Sequence, residues 1–99
     1  MLYAIIAKDI GDNAQKRRAA KAPHMRRLEE LVDDGRLILA GPFPAIDSPD
    51  PGPEGVTGSL IVAEFDSLEH AQAWIDADPY VTQGVYSKVD VTPFIQALP

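Results

Sequence analysis

Apolar positions along the chain fall into short continuous runs and longer stretches with helical spacing. Leu2 to Ala7 is an unbroken apolar run closed by Lys8 and Asp9. Apolar on both faces, it predicts a central strand rather than an edge. Gly11-Asp12-Asn13 supplies turn and N-cap chemistry. Ala14 to Lys21 is rich in helix formers but weakly apolar, which predicts a short basic helical segment. Pro23 disfavours helical geometry at Ala22 and suits the first turn of a new helix, so a kinked, two-part helix is expected. From Pro23 to Asp34, Met25, Leu28, Leu31 and Val32 recur at helical spacing while Arg26, Glu29, Glu30 and Asp33 face away. Gly35 then accepts the left-handed backbone that ends a helix.

Arg36 to Ala40 reads as a second strand, again apolar on both faces. Pro42, Pro44, Pro49, Pro51 and Pro53 follow and are expected to bar any regular element before the third strand, Gly58 to Phe65. A loop of that length in a small domain is a lid, a binding loop or a dimer arm. Asp66, with Glu69 three residues on, has capping-box spacing and opens a helix striped by Leu68, Ala71, Trp74 and Ile75. Asp78-Pro79 interrupts that helix, and Pro79 opens one further turn towards Gly84. Tyr86 to Val91 alternates, the pattern of an edge or half-covered strand.

Strand, helix, strand, strand, helix, strand is the order of the α+β, ferredoxin-like split βαβ fold (βαββαβ). It predicts one domain over residues 1–99 with a four-stranded antiparallel sheet and both helices on one face. Two helices cover only one sheet face. The other would be a large apolar patch, and a homodimer packed sheet against sheet is the expected remedy.

Composition narrows the partners. A formal charge of −6 argues against nucleic acid or an anionic membrane surface. Basic residues nevertheless cluster at Lys16, Arg17, Arg18, Lys21, Arg26 and Arg27, which leaves room for a local anion site. There is no cysteine, hence neither disulfide nor thiolate. The N-terminal apolar run is short, lacks a basic flank and ends in charges. It reads as a strand and not a signal peptide or membrane span, so a cytoplasmic location is expected.

The chemistry concentrates on His24. Leu28 and Leu31, four and seven residues on, put the imidazole on the buried helix face. A lone buried histidine is commonly satisfied by a backbone carbonyl or serves as a cap. A first-turn position would instead favour the neutral ring and a role as base, and a kink beside it would leave room for a cavity. Asp78 is the candidate partner, although Asp before Pro is equally an N-cap. Gly41 and Gly58-Ser59 place small residues where strands two and three adjoin. There Ser59 could offer a hydroxyl to a ligand and Gly41 its backbone, or Ser59 could simply pair across strands. Arg17 and Arg18 could hold an acidic substrate, but a solvated basic face is the more ordinary reading. His70 reads as surface. Two distant histidines without cysteine make no metal site, and Asp47, Asp50 and Glu54 lack calcium-loop spacing. No phosphate-binding glycine loop, Ser-His-Asp signature or zinc motif occurs, so no metal and no cofactor is expected.

L-Y-A-I-I-A-K-D, P-H-M-R-R-L, G-R-L-I-L-A-G-P-F-P-A-I-D, G-S-L-I-V-A-E-F-D-S-L-E and A-D-P-Y together resemble the YciI-like (YCII-related) family over essentially the whole chain. The similarity is greatest to its short bacterial single-domain members. The order and spacing of these motifs carry the resemblance, more than any one of them. It implies a dimeric α+β barrel, similar to muconolactone isomerase and the antibiotic-biosynthesis monooxygenase-like proteins. It also implies an active-site pair: the histidine of the P-H-x-x-R-L segment falls on His24 and the aspartate of the D-P-[FY] motif on Asp78. Some relatives act as dehydrochlorinases on chlorinated hydroxyquinols, and most have no assigned reaction.

Two functions of different class follow. In the first, a cofactor-independent lyase- or isomerase-type enzyme uses His24, oriented by Asp78, to shuttle a proton on a small anionic or phenolic molecule. Ser59, Gly41 and Arg17 would position that molecule. In the second, the same pocket belongs to a non-catalytic dimeric module that binds a metabolite or a protein.

Overall fold

The computed structural model describes all 99 residues. The chain runs β1 (Leu2–Asp9), α1 (Ala14–Asp33), β2 (Leu37–Pro44), a 3₁₀ turn (Gly52–Glu54), β3 (Val56–Glu64), α2 (Leu68–Asp76), α3 (Pro79–Thr82) and β4 (Tyr86–Phe94). The four strands form one antiparallel sheet in the order β2-β3-β1-β4. This is the α+β split βαβ architecture, with β1 and β3 central as their continuous apolar runs require.

Register sorts the side chains. Ile5 lies opposite both Ile61 and Val91. Tyr3, Ile5 and Ala7 join Ile61 and Ala63 in a core closed by Ala20, Leu28 and Leu31 of α1 and Ala71 and Ile75 of α2. The alternate positions face away from the helices. There Ile6, Leu39, Phe43 and Phe94 lie together on the open side of the sheet, all of them exposed.

Four local expectations change. First, α1 is a single 20-residue helix with Pro23 inside it, not two segments. Proline in a helix interior costs about 3 kcal/mol. Burying Leu28 and Leu31 on the same face returns about 1.5–3 kcal/mol each, so the continuous helix wins. His24 therefore lies near mid-helix, and the dipole argument for its neutrality lapses, because that field decays within the first turn.

Second, β2 continues through Pro42 and Pro44. It is an edge strand, where a missing N–H can face outwards. Third, Ser67, not Asp66, caps α2, its hydroxyl accepting from the His70 N–H at 3.1 Å. Fourth, Asn13 stands at the N-cap of α1 without capping it. Its amide donates instead to Asp9 Oδ2 at 2.6 Å and to the Val56 carbonyl at 2.9 Å, tying the start of α1 to β1 and β3.

Glycine matters most at Gly58. A Cβ there would overlap the carbonyl oxygen of Ala7 on the neighbouring strand. β3 approaches β1 closely at this point, and the next residue, Ser59, opposite Ala7, lies on the helix-facing side beside the start of α1.

Candidate active site between α1 and the sheet

The site is assembled around one carboxylate. Asp78 is fully buried, and a buried charge is tolerable only when its oxygens are satisfied. Oδ2 accepts from the Tyr80 backbone N–H at 2.9 Å and lies 2.7 Å from His24 Nδ1. Oδ1 accepts from Arg27 Nη1 at 2.8 Å. The capping reading of Asp78 and the histidine-partner reading thus describe the same oxygen. Burial alone would raise the Asp78 pKa. The hydrogen bonds from His24, the Tyr80 N–H and Arg27 outweigh it and hold the carboxyl below its ordinary range.

An ionised carboxylate only accepts, so Nδ1 carries the proton and Nε2 is left as the basic nitrogen. The side chain is 6% exposed and lines a cavity of about 800 Å³ between α1 and the β2–β3 side of the sheet. Tyr80 stacks on it with centroids 3.8 Å apart and planes 10° off parallel. Asp78 and Tyr80, both at the start of α3, therefore fix the imidazole from two sides, by a hydrogen bond at Nδ1 and by contact on one face.

Arg27 braces the arrangement from outside the cavity. Besides Asp78, it donates from Nη2 to the Trp74 carbonyl at 2.7 Å and lies 4.3 Å over the Trp74 ring. That ties α1 to the end of α2, just where Asp78 begins α3.

A second polar cluster lies about two turns earlier on α1. Arg17 grips Asp9, with Nη2 donating to Oδ1 at 3.0 Å, and Nη2 also donates to Ser59 Oγ at 3.0 Å and to the Gly58 carbonyl at 3.2 Å. Burial disfavours the guanidinium charge, yet the bond and field of Asp9 outweigh it and the Arg17 pKa is raised. Arg17 is thus a largely buried, paired side chain rather than part of a solvated basic face. Because Ser59 accepts from Arg17, its own proton is free to be donated. Arg17, Ser59, Gly41 and His24 all line the cavity; Asp78 stands behind the imidazole and does not. His70 lies on the surface, as expected, and no group of three or more His, Asp or Glu side chains is placed to hold a metal ion.

Residues 1–95 match the YCII-related domain. The chain belongs to that family. It is 57% identical over 94 residues to the YciI protein of Escherichia coli, covering 95% of this chain and 96% of that one. It is 46% identical over 94 residues to an uncharacterised Haemophilus influenzae protein, with the same coverage. Among solved structures it is similar to the 5-chloro-2-hydroxyhydroquinone dehydrochlorinase TftG of Burkholderia phenoliruptrix in complex with 2,5-dihydroxybenzoquinone. That match has a TM-score of 0.85 at 23% identity, over 98% of this chain and 96% of that one. At that identity the likeness concerns the fold, and this YCII-related chain shares TftG's α+β architecture. No helix in it is long and apolar enough to cross a membrane.

Three contributors were not singled out from the sequence. Tyr80 stands two residues after Asp78 in the D-P-Y run, and Arg27 stands one position short of a full turn after His24. Both spacings were open to inspection. Asp9, which fixes Arg17, carries no local signal, because it closes a strand in the way any charged residue does.

Proposed function

We propose that this YCII-related protein is a cofactor-independent enzyme of lyase or isomerase type acting on a small anionic or phenolic molecule. The observation that carries the reading is the 2.7 Å contact of His24 Nδ1 with a buried, ionised Asp78, in a ring whose Nε2 is left free beside a cavity. Nε2 takes a proton from an activated C–H or O–H of the substrate, and Asp78 stabilises the imidazolium that forms. Returning that proton elsewhere on the substrate isomerises it. Expelling a leaving group with its bonding electrons completes an elimination, the reaction style of the dehydrochlorinase that shares the fold. Ser59, oriented by Arg17, and the Gly41 backbone position the substrate's oxygens. General acid–base catalysis is worth roughly 10²–10⁴-fold, enough for an activated ring. The active form is a homodimer joined through the open sheet face, and the site is cytoplasmic.

Deuterium exchange tests the reading without knowledge of the natural substrate. Wild-type protein in D2O should speed exchange of the ring C–H of 2,5-dihydroxybenzoquinone and related phenols, read by NMR. His24→Asn should abolish the acceleration and Asp78→Asn reduce it at least tenfold, with ligand still bound. If both variants change affinity alone, the protein is a binding module.

A further inference from the structure

The cavity has a polarity that follows the axis of α1. Arg17, Arg18 and Lys21 line it in the two turns before His24, and Met25, Leu28 and Val32 in the two turns after. At 1.5 Å per residue, Arg17 lies about 10 Å to one side of His24 and Val32 about 12 Å to the other. The sheet repeats the gradient. Ser59, opposite Pro42, meets the basic end; Ile61, opposite Ala40, and Leu37, opposite Ala63, lie towards the apolar end.

The charges have a direction too. Arg17 is balanced by Asp9, whereas Arg18 and Lys21 take no carboxylate partner. Beyond His24 the only charged side chain on the wall is Glu29, which repels a second anionic group at that end. A volume of about 800 Å³ is far more than one bare phenol fills. It lies within the roughly 300–1,000 Å³ of cavities that hold drug-sized ligands.

The geometry points to an amphipathic monoanion as the ligand class. Its acidic or phenolic head sits among Ser59, Arg18 and Lys21, and an alkyl or aryl substituent lies along Leu28, Val32 and Leu37. The inference rests on the proposed function in taking this cavity as the substrate site, but not on His24 acting as a base. A partly water-exposed apolar wall should reward each added methylene with up to about a fourfold gain in affinity.

Isothermal titration calorimetry with benzoate, 4-ethylbenzoate, 4-butylbenzoate, 4-hexylbenzoate and uncharged 4-butylbenzamide decides it. Kd should fall steadily along the acids, and the amide should bind at least fivefold more weakly than its matched acid. Val32→Asp, at an exposed position that tolerates the charge, should flatten the series. Lys21→Met should narrow the gap between acid and amide. Affinity that does not vary with chain length, or an amide that binds as tightly as the acid, overturns the proposal. So does a Val32→Asp series as steep as wild type. A preserved chain-length series without deuterium exchange overturns the catalytic reading alone. Exchange on a small phenol with a flat series overturns this one alone.

Discussion

Asp78 joins two helices through three hydrogen bonds, and its stability and its chemistry cannot be separated. Replacing it with alanine leaves Arg27 without its carboxylate and removes the cap of α3. That change should cost about 3–5 kcal/mol in chemical denaturation. Its depressed pKa gives the sign of the pH dependence. The contribution is present above 3.8, the ordinary value, and is lost as pH falls through the lower folded value. Melting temperature should therefore drop steeply below about pH 4, and Asp78→Asn should blunt that drop. Tyr86 acts at the other end of the scale. Its hydroxyl is buried without a hydrogen-bond partner, and burial, only partly opposed by Ser59 and Arg17, pushes its pKa up to about 12. The unfolded phenol ionises first, near 10, so stability declines as pH rises from 10 to about 12. Tyr86→Phe should reduce that alkaline loss and cost less than about 1 kcal/mol at neutral pH, since no hydrogen bond is given up.

At the scale of elements, the strand runs were legible and their interruptions were not. Continuous apolar runs located β1 and β3, and alternation marked β4 as an edge. Pro23 and Pro42 share one physical reason: each carries a local penalty of a few kcal/mol that tertiary burial or an edge position offsets. The cap of α2 moved by one residue because Asp66 and Ser67 are chemically equivalent as caps and only the backbone path chooses. Gly58 is the element-scale residue most sensitive to change. Gly58→Ala forces a Cβ against the Ala7 carbonyl, and separating β3 from β1 there should cost at least about 1–3 kcal/mol and disturb Ser59. Urea denaturation beside Ser59→Ala separates the backbone effect from loss of the hydroxyl.

For the whole molecule, the open face of the sheet is the largest remaining debt, with Ile6, Leu39, Phe43 and Phe94 exposed on one side. The proposed homodimer covers it. Light scattering at micromolar concentration should give the mass of two chains, and Leu39→Asp combined with Phe43→Asp should give that of one; a wild-type monomer would remove the dimer from the proposal. The sequence by itself determined the element order, the layer arrangement and the family, because these follow from periodicity and motif spacing distributed along the chain. It also offered His24 and Asp78 as candidates, each with an ordinary structural explanation beside the functional one. Only the tertiary structure decided that they meet at 2.7 Å, that Arg27 and Tyr80 brace them, and that Asp9 turns Arg17 inwards to Ser59. The hydrogen bonds among these contacts span 8 to 54 residues of chain. They depend on strand register and on how α1 lies across the sheet, neither of which any local pattern encodes.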